Sequence, residues 1–283
     1  MRIFLAGASG VVGRRVIPAL LAEGHVVVGL ARGRDSYDAI DSLGATAVRG
    51  DVYDASTLAR AVRAARPDVV MHQLTDLAAG DRAANARLRT IGTRNLVDAA
   101  KAAGVRRMIA QSISWAYEPG AAPATEDSRL DLDAGPGRRD MVEGVAHLEG
   151  GVQEMPEWVI LRYGTLYGPG TWYEPGGLIS TAARNGHLPA TADISSFVHV
   201  DDAASAAVAA LHWPSGPVNV CDDEPAPGHE WVPVFCALAG LPEPTPVEGE
   251  RAGWARGADN ARARRTLGWV PGRKSWRTGL AEN

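Results

Sequence analysis

The sequence predicts an α/β fold: a doubly wound parallel sheet with a smaller C-terminal substrate lobe. Three observations carry this. Short apolar runs alternate with alanine-rich amphipathic stretches through the first two thirds of the chain, the pattern of a parallel sheet with helices on both faces. A glycine turn joins the first apolar run directly to the first amphipathic stretch. Beyond residue 165 the alternation weakens and proline and tryptophan become more frequent.

The elements follow in order. Strands are expected at 2–6 (RIFLA), 25–30, 46–51 (TAVRGD), 68–74 (DVVMHQL), 106–112 (RRMIAQS) and 157–164 (EWVILRYG). Helices are expected at 14–23, 55–65, 83–104 and 138–154. Pro18 falls inside the first helix rather than in its first turn, a local disagreement with an ideal helix. In domain terms, 1–165 forms the sheet domain, with 195–222 packing back onto it. Residues 166–194 and 223–283 form the smaller lobe, entered through the loop GPGTWYEPGG. Open parallel sheets bind ligands beyond the carboxyl ends of their strands. The chemistry is therefore expected near Gly7, residues 31–34, Asp51, Gln73, Ser112 and Tyr163.

Strand, glycine turn, helix, strand is the context that makes GASGVVG (7–13) a dinucleotide-binding signal. Gly7 permits the tight turn, Gly10 lets a pyrophosphate approach the backbone, and Gly13 lets the helix pack on the strand. Ser9, Val11 and Val12 complete the loop, and the helix N-terminus offers free N–H groups to phosphate. The second strand ends in Arg32 and Arg34, with no carboxylate before Asp35. Two guanidiniums there suit a 2′-phosphate, so NADPH/NADP+ is the expected cofactor. Asp51 and Val52 are placed to meet the adenine.

Composition narrows the classes. A net charge of −4 gives a nucleic-acid partner no support. The arginines 262, 264 and 265 read as a solvated helical face. Cys221 and Cys236 form no CxxC pair and suit a reduced, cytoplasmic protein. No signal-type apolar segment opens the chain, and no apolar run reaches membrane-spanning length. The histidines show no metal-ligand spacing, and no Gly-x-Ser-x-Gly elbow is present. The expected partner is a small molecule, with no nucleic acid and no membrane, and monomer versus homodimer stays open.

Taken together, these motifs resemble the short-chain dehydrogenase/reductase superfamily in its extended, epimerase/dehydratase-like branch. GASGVVG matches its GxxGxxG and Gly50-Asp51-Val52 its adenine-side motif. IGTRNLVDAAKAAGVRRMIAQS is similar to its fourth helix and fifth strand. LRYGTLYGPG, SSFVHVDDAASAAVAAL, NVCDDEP and LGWVP are similar to its later segments. The resemblance implies a Rossmann-type sheet, with Gln73, Leu74, Ser112, Tyr163, Gly164 and Thr165 on the cofactor.

It also implies a Tyr-x-x-x-Lys pair, and here the chain departs from the family. None of the six tyrosines is followed by lysine four positions on. Counted back from Glu149, the pair's positions hold Met141 and Val145. The serine position falls on Ile113, between Ser112 and Ser114, and the amide-binding asparagine is Arg89. The catalytic residue is thus unassigned, with Ser112, Ser114 and Tyr163 as candidates. Ser114, Tyr117, Tyr167, Trp172 and Tyr173 are the candidate substrate contacts. Strand-end packing competes for the serines, and structural packing for the tyrosines and Trp172. The expected activity is NADPH-dependent reduction of an aromatic polyketide-type ketone whose proton comes from a substrate hydroxyl or water. A catalytically silent NADP-binding sensor and an epimerase/dehydratase with relocated acid and base remain as alternatives.

Overall fold

A computed structural model describes residues 1–76 and 80–282. In chain order the elements are β1 (Arg2–Ala6), α1 (Gly13–Ala22), β2 (Val26–Ala31), α2 (Arg34–Ser42), β3 (Thr46–Arg49), α3 (Ala55–Ala65) and β4 (Val69–His72). There follow α4 (Arg82–Arg87), a π-helical turn (Leu88–Gly92), α5 (Thr93–Ala102), β5 (Arg107–Ile113), α6 (Pro136–Val152) and β6 (Glu157–Tyr163). Next come β7 (Thr165–Tyr167), α7 (Leu178–Arg184), β8 (Ile194–Ser195), β9 (Phe197–His199), α8 (Val200–Ala209) and β10 (Gly216–Val220). The chain ends with β11 (Ala226–Pro227), α9 (Gly228–Leu238), a second π-turn (Arg262–Thr266) and α10 (Trp276–Ala281).

The central sheet has seven strands in the order β10-β6-β5-β4-β1-β2-β3. β1 runs parallel to β2 and β4, with Leu5 facing Gly29 and Met71. β2 pairs in parallel with β3, and β4 with β5. This is the doubly wound sheet expected from the strand and helix alternation. The chain divides into two compact units. The first comprises Met1–Ser112, Gly135–Leu161 and Ala204–Pro217. Its core packs Phe4, Val28, Leu58, Val62, Leu96, Met108 and Ile160 between strands and helices. The second comprises Ile113–Ala134, Arg162–Ala203 and Val218–Asn283. One of its clusters is aromatic, built on Tyr167, Phe197, Trp231, Phe235 and Trp276.

Helix α1 runs through Pro18, which lies on its exposed side. Two features of the first 165 residues differ from the sequence reading. Helix α2 is polar on average, with Ile40 its single buried residue, so little apolar surface marks it out. It starts on a local device: Ser36 Oγ accepts from the Gly33 N–H (3.1 Å) and donates to the Gly33 carbonyl (2.8 Å). The stretch expected as one helix at 83–104 is instead two α-helices joined by the π-turn. The C-terminal arginines also do more than face solvent. Arg262 Nη2 pairs with Asp127 (2.8 Å) and Arg264 Nη1 with Asp223 (3.1 Å).

Candidate dinucleotide and active site

The glycine turn lies between β1 and α1, in the first unit. Gly7 has φ +93°, and its carbonyl accepts from Gly10 N (3.0 Å). A Cβ there would enter the backbone of Gln73 and lie 2.9 Å from Leu74 N. A Cβ on Gly13 would lie 2.8 Å from Ala8 Cα, so the helix rests directly on the turn. Gly10 is different. It is exposed, and a Cβ would meet nothing but the Gly7 carbonyl, at 3.2 Å. That single contact is tight, but it constrains Gly10 far less than the backbone contacts constrain Gly7 and Gly13. No side chain caps the first turn of α1. Arg14 Nε donates to the Ser9 carbonyl (2.7 Å) and Arg15 Nη1 to the Val11 carbonyl (3.0 Å), fixing the loop, while Val12 is buried.

Strand β2 delivers Arg32 and Arg34 to the start of α2. Arg32 is exposed and makes no ion pair among the described residues. The Arg34 side chain is 91% exposed and only loosely paired with Asp38, at 3.6 Å. At the end of β3, Asp51 Oδ1 accepts from Tyr53 N (2.9 Å), and Asn95 Nδ2 donates to the Val52 carbonyl (2.7 Å). Arg87 stacks over the Tyr53 ring at 4.4 Å.

Beneath the ends of β4 and β5 lies a buried polar group of side chains. His72 Nδ1 accepts from Leu74 N (3.3 Å), which leaves the Nε2 proton for Thr93 Oγ1 (2.9 Å). Burial, reinforced by the Arg89 charge, pushes the His72 pKa down to about 4, so the ring is neutral. Gln73 is buried beside the turn. Gln111 Nε2 donates to the Leu74 carbonyl (2.6 Å), and Ser112 Oγ donates to Glu149 Oε1 (2.7 Å). Gln111 and Glu149 hold two of the expected site residues in place. Gln111 carried no motif signal of its own. On α6, Met141 is half-buried and Val145 fully buried. Lys101 Nζ is engaged at the surface by Glu154 (2.9 Å), and Lys274 is exposed.

The remaining candidates belong to the second unit. Ser114 is 4% exposed and its N–H donates to the Tyr163 carbonyl (2.9 Å). Its hydroxyl makes no hydrogen bond among the described residues. Tyr117 is buried; its hydroxyl donates to Asn219 Oδ1 (2.5 Å) and accepts from Arg162 Nη1 (3.0 Å). The Tyr163 hydroxyl donates to the Ala203 carbonyl (3.3 Å). Gly164 N donates to Val220 O (2.9 Å) and Thr165 N to Ser196 O (2.7 Å). Tyr167 is fully buried, edge-on to Phe197 (6.3 Å) and His199 (5.2 Å). Burial and the nearby Asp222 and Asp202 raise its pKa, and the backbone of Gly279 closes over its hydroxyl. Tyr173 packs on Phe235 (5.4 Å), Trp231 (5.9 Å) and Phe197 (6.1 Å), and burial raises its pKa too. Trp172, by contrast, is 37% exposed.

Residues 3–221 match the NAD dependent epimerase/dehydratase family. The chain belongs to that family. A Streptomyces protein named 3-diazoavenalumate denitrifying reductase is 43% identical over 305 aligned positions, covering 99% of each chain. A second relative, from Stigmatella aurantiaca, is named 4-hydroxy-2-methyl-3-oxo-4-farnesyl-3,4-dihydroquinoline-1-oxide ketoreductase. It is 33% identical over 111 positions, which are 38% of this chain and 32% of its own. The Thermus thermophilus UDP-glucose 4-epimerase, solved with NAD, superposes with a TM-score of 0.76 at 24% identity, over 99% of this chain and 97% of that one. The fold is thus that of the nicotinamide-dependent extended short-chain dehydrogenases, and the family is one of oxidoreductases and epimerases. Among the described residues no helix is long and apolar enough to cross a membrane.

Proposed function

We propose that this chain is an NADPH-dependent reductase whose hydride acceptor takes no proton from a protein phenol. One observation carries the reading. Met141 and Val145 offer no ionisable group on α6, and the hydroxyls of Tyr117, Tyr163 and Tyr167 are hydrogen-bonded or enclosed. The first unit fits the dinucleotide: Gly10 leaves a cradle that a side chain would fill, and the first turn of α1 lacks a side-chain cap. Arg32 and Arg34 are exposed where a 2′-phosphate would lie, Asp51 and Val52 where the adenosine would lie, and Gln73, Leu74 and Ser112 would flank the far end. When bound, the nicotinamide supplies a hydride.

The acceptor assigned first is an aromatic diazonium group, the chemistry named in the relative that is 43% identical. An arenediazonium cation and a hydride give the arene and dinitrogen. Two electrons move, charge cancels, and no proton is consumed. Loss of an acid then costs the reaction nothing. The second reading is reduction of an aromatic polyketide-type ketone, where the alkoxide takes its proton from a neighbouring substrate hydroxyl or from water. The relative named a ketoreductase favours it. So does a resemblance, in length and in the missing pair, to the angucyclinone ketoreductase of simocyclinone biosynthesis.

The test uses NADPH carrying deuterium at the transferable position, with panels of ortho-diazo phenols and of aromatic ketones. Nitrogen release with one deuterium on the arene carbon, and no label taken from heavy water, supports the first reading. A deuterated carbinol supports the second. Tight NADPH binding without turnover on either panel refutes both and leaves the silent sensor.

A further inference from the structure

Arg89 stands in the π-turn between α4 and α5, with only 8% of its surface exposed. π-turns inside helices recur at functional sites. Its stem crosses α6 at Gly144, where a Cβ would lie 3.5 Å from Arg89 Cδ. The charged group it feels is Glu149, whose Oε1 already accepts from Ser112. Among the described residues nothing accepts a hydrogen bond or ion pair from the guanidinium. Burial lowers its pKa to about 10, so it remains a cation at neutral pH. A largely buried fork of five donors that takes no acceptor from the described residues is costly; it keeps only a sliver of solvent contact, and the oxygens of a ligand can supply the acceptor.

The strand order says which part of the ligand. Arg32 ends β2, the glycine turn ends β1, and His72, which feels the Arg89 charge, ends β4. A dinucleotide laid across these ends places its adenosine half at β2, its pyrophosphate at β1 and its second ribose toward β4 and β5. We propose that Arg89 is a cofactor-binding residue whose guanidinium takes the hydroxyl oxygens of the nicotinamide ribose, bringing from the π-turn the positive charge that α6 lacks at Met141 and Val145. The inference rests on the dinucleotide reading above.

The experiment compares NADP+ with 2′,5′-ADP, which carries the adenosine and its 2′-phosphate but no second ribose. Calorimetric titrations are run on the wild type, Arg89→Met and Arg89→Lys, alongside thermal melts. Arg89→Met is expected to weaken NADP+ about tenfold or more while leaving 2′,5′-ADP unchanged. Arg89→Lys, which keeps the charge but loses the fork, recovers part of the loss. If Arg89→Met fails to fold, Arg89→Lys decides alone. A several-fold loss confined to NADP+ supports the assignment, and an unaltered affinity overturns it. Equal weakening of both ligands makes the residue structural and overturns it. Unchanged NADP+ binding with a raised substrate KM places the guanidinium on the substrate and overturns the ribose assignment. A wild type that binds neither ligand overturns the dinucleotide reading itself, before any variant is considered.

Discussion

Replacing Arg32 and Arg34 together by alanine separates NADPH from NADH. Both residues are exposed, and the one ion pair they form among the described residues, Arg34 with Asp38 at 3.6 Å, is loose enough that its loss leaves stability almost unchanged. Neither belongs to the first unit's hydrophobic core, so the effect falls on what they bind. A charge-assisted bond to a phosphate oxygen is worth about 1.5 kcal/mol at the lower end of its range, which suits solvent-exposed guanidiniums. Two such bonds amount to about 3 kcal/mol, or roughly a 100-fold loss of NADPH affinity. NADH has a hydroxyl where NADPH has the phosphate and is expected to bind the variant within about twofold of the wild type. Nicotinamide fluorescence titrations at two salt concentrations measure both. The NADPH loss shrinks at high salt, because exposed charges are screened. Equal losses for the two dinucleotides, or no loss for either, refute the assignment of these arginines to the 2′-phosphate.

Other outcomes follow from the same geometry. Gly13→Ala forces a Cβ against the backbone of Ala8 and is expected to cost about 1–3 kcal/mol of stability by overpacking, read as a lowered melting temperature, whereas Gly10→Ala shifts the melt less and weakens dinucleotide binding. Equal melting shifts would refute the distinction. Phenylalanine at Tyr117, Tyr163 or Tyr167 is expected to leave turnover within a few-fold of wild type, and a collapse in one variant identifies a phenolic acid. Burial pushes the Asp222 carboxyl up to about 8, so its contribution to stability is full below pH 4 and is lost as pH rises through 8; Asp222→Asn should flatten the alkaline side of a urea-melt pH series. His72 works in the opposite sense, because its folded pKa of about 4 lies below the unfolded value of 6.5. Its contribution is full above pH 6.5 and falls by about 1.4 kcal/mol per unit towards pH 4, a slope that His72→Gln should remove from the same series.

Much of the first unit is legible in the sequence because its strands are short, apolar and separated by regular helices. Strand β1 and helix α3 fall where their patterns put them, and the steric needs of Gly7 and Gly13 follow from the turn itself. Helix α2 escaped because it buries one side chain and is started by a backbone and serine device rather than by an apolar stripe. The π-turn at Leu88–Gly92 escaped because one extra residue in a helical repeat leaves an apolar pattern almost unchanged. The surroundings of the tyrosines were equally hidden. Nothing near Tyr117 in the sequence announces Asn219, 102 residues away, as its hydrogen-bond partner. Site partners that depend on such distant contacts have no local pattern to betray them.

The glycine at position 144 has a consequence for what α6 can carry. Arg89 lies where α6 has no side chain, and a Cβ at 144 would lie 3.5 Å from Arg89 Cδ, an ordinary van der Waals contact. Alanine therefore fits at 144, whereas every atom beyond Cβ competes with the arginine stem for the same space. A bulky side chain there would have to push the stem aside and move the guanidinium with it. The length of the arginine on the π-turn and the bareness of the helix beside it are one choice of shape, made at two places in the chain.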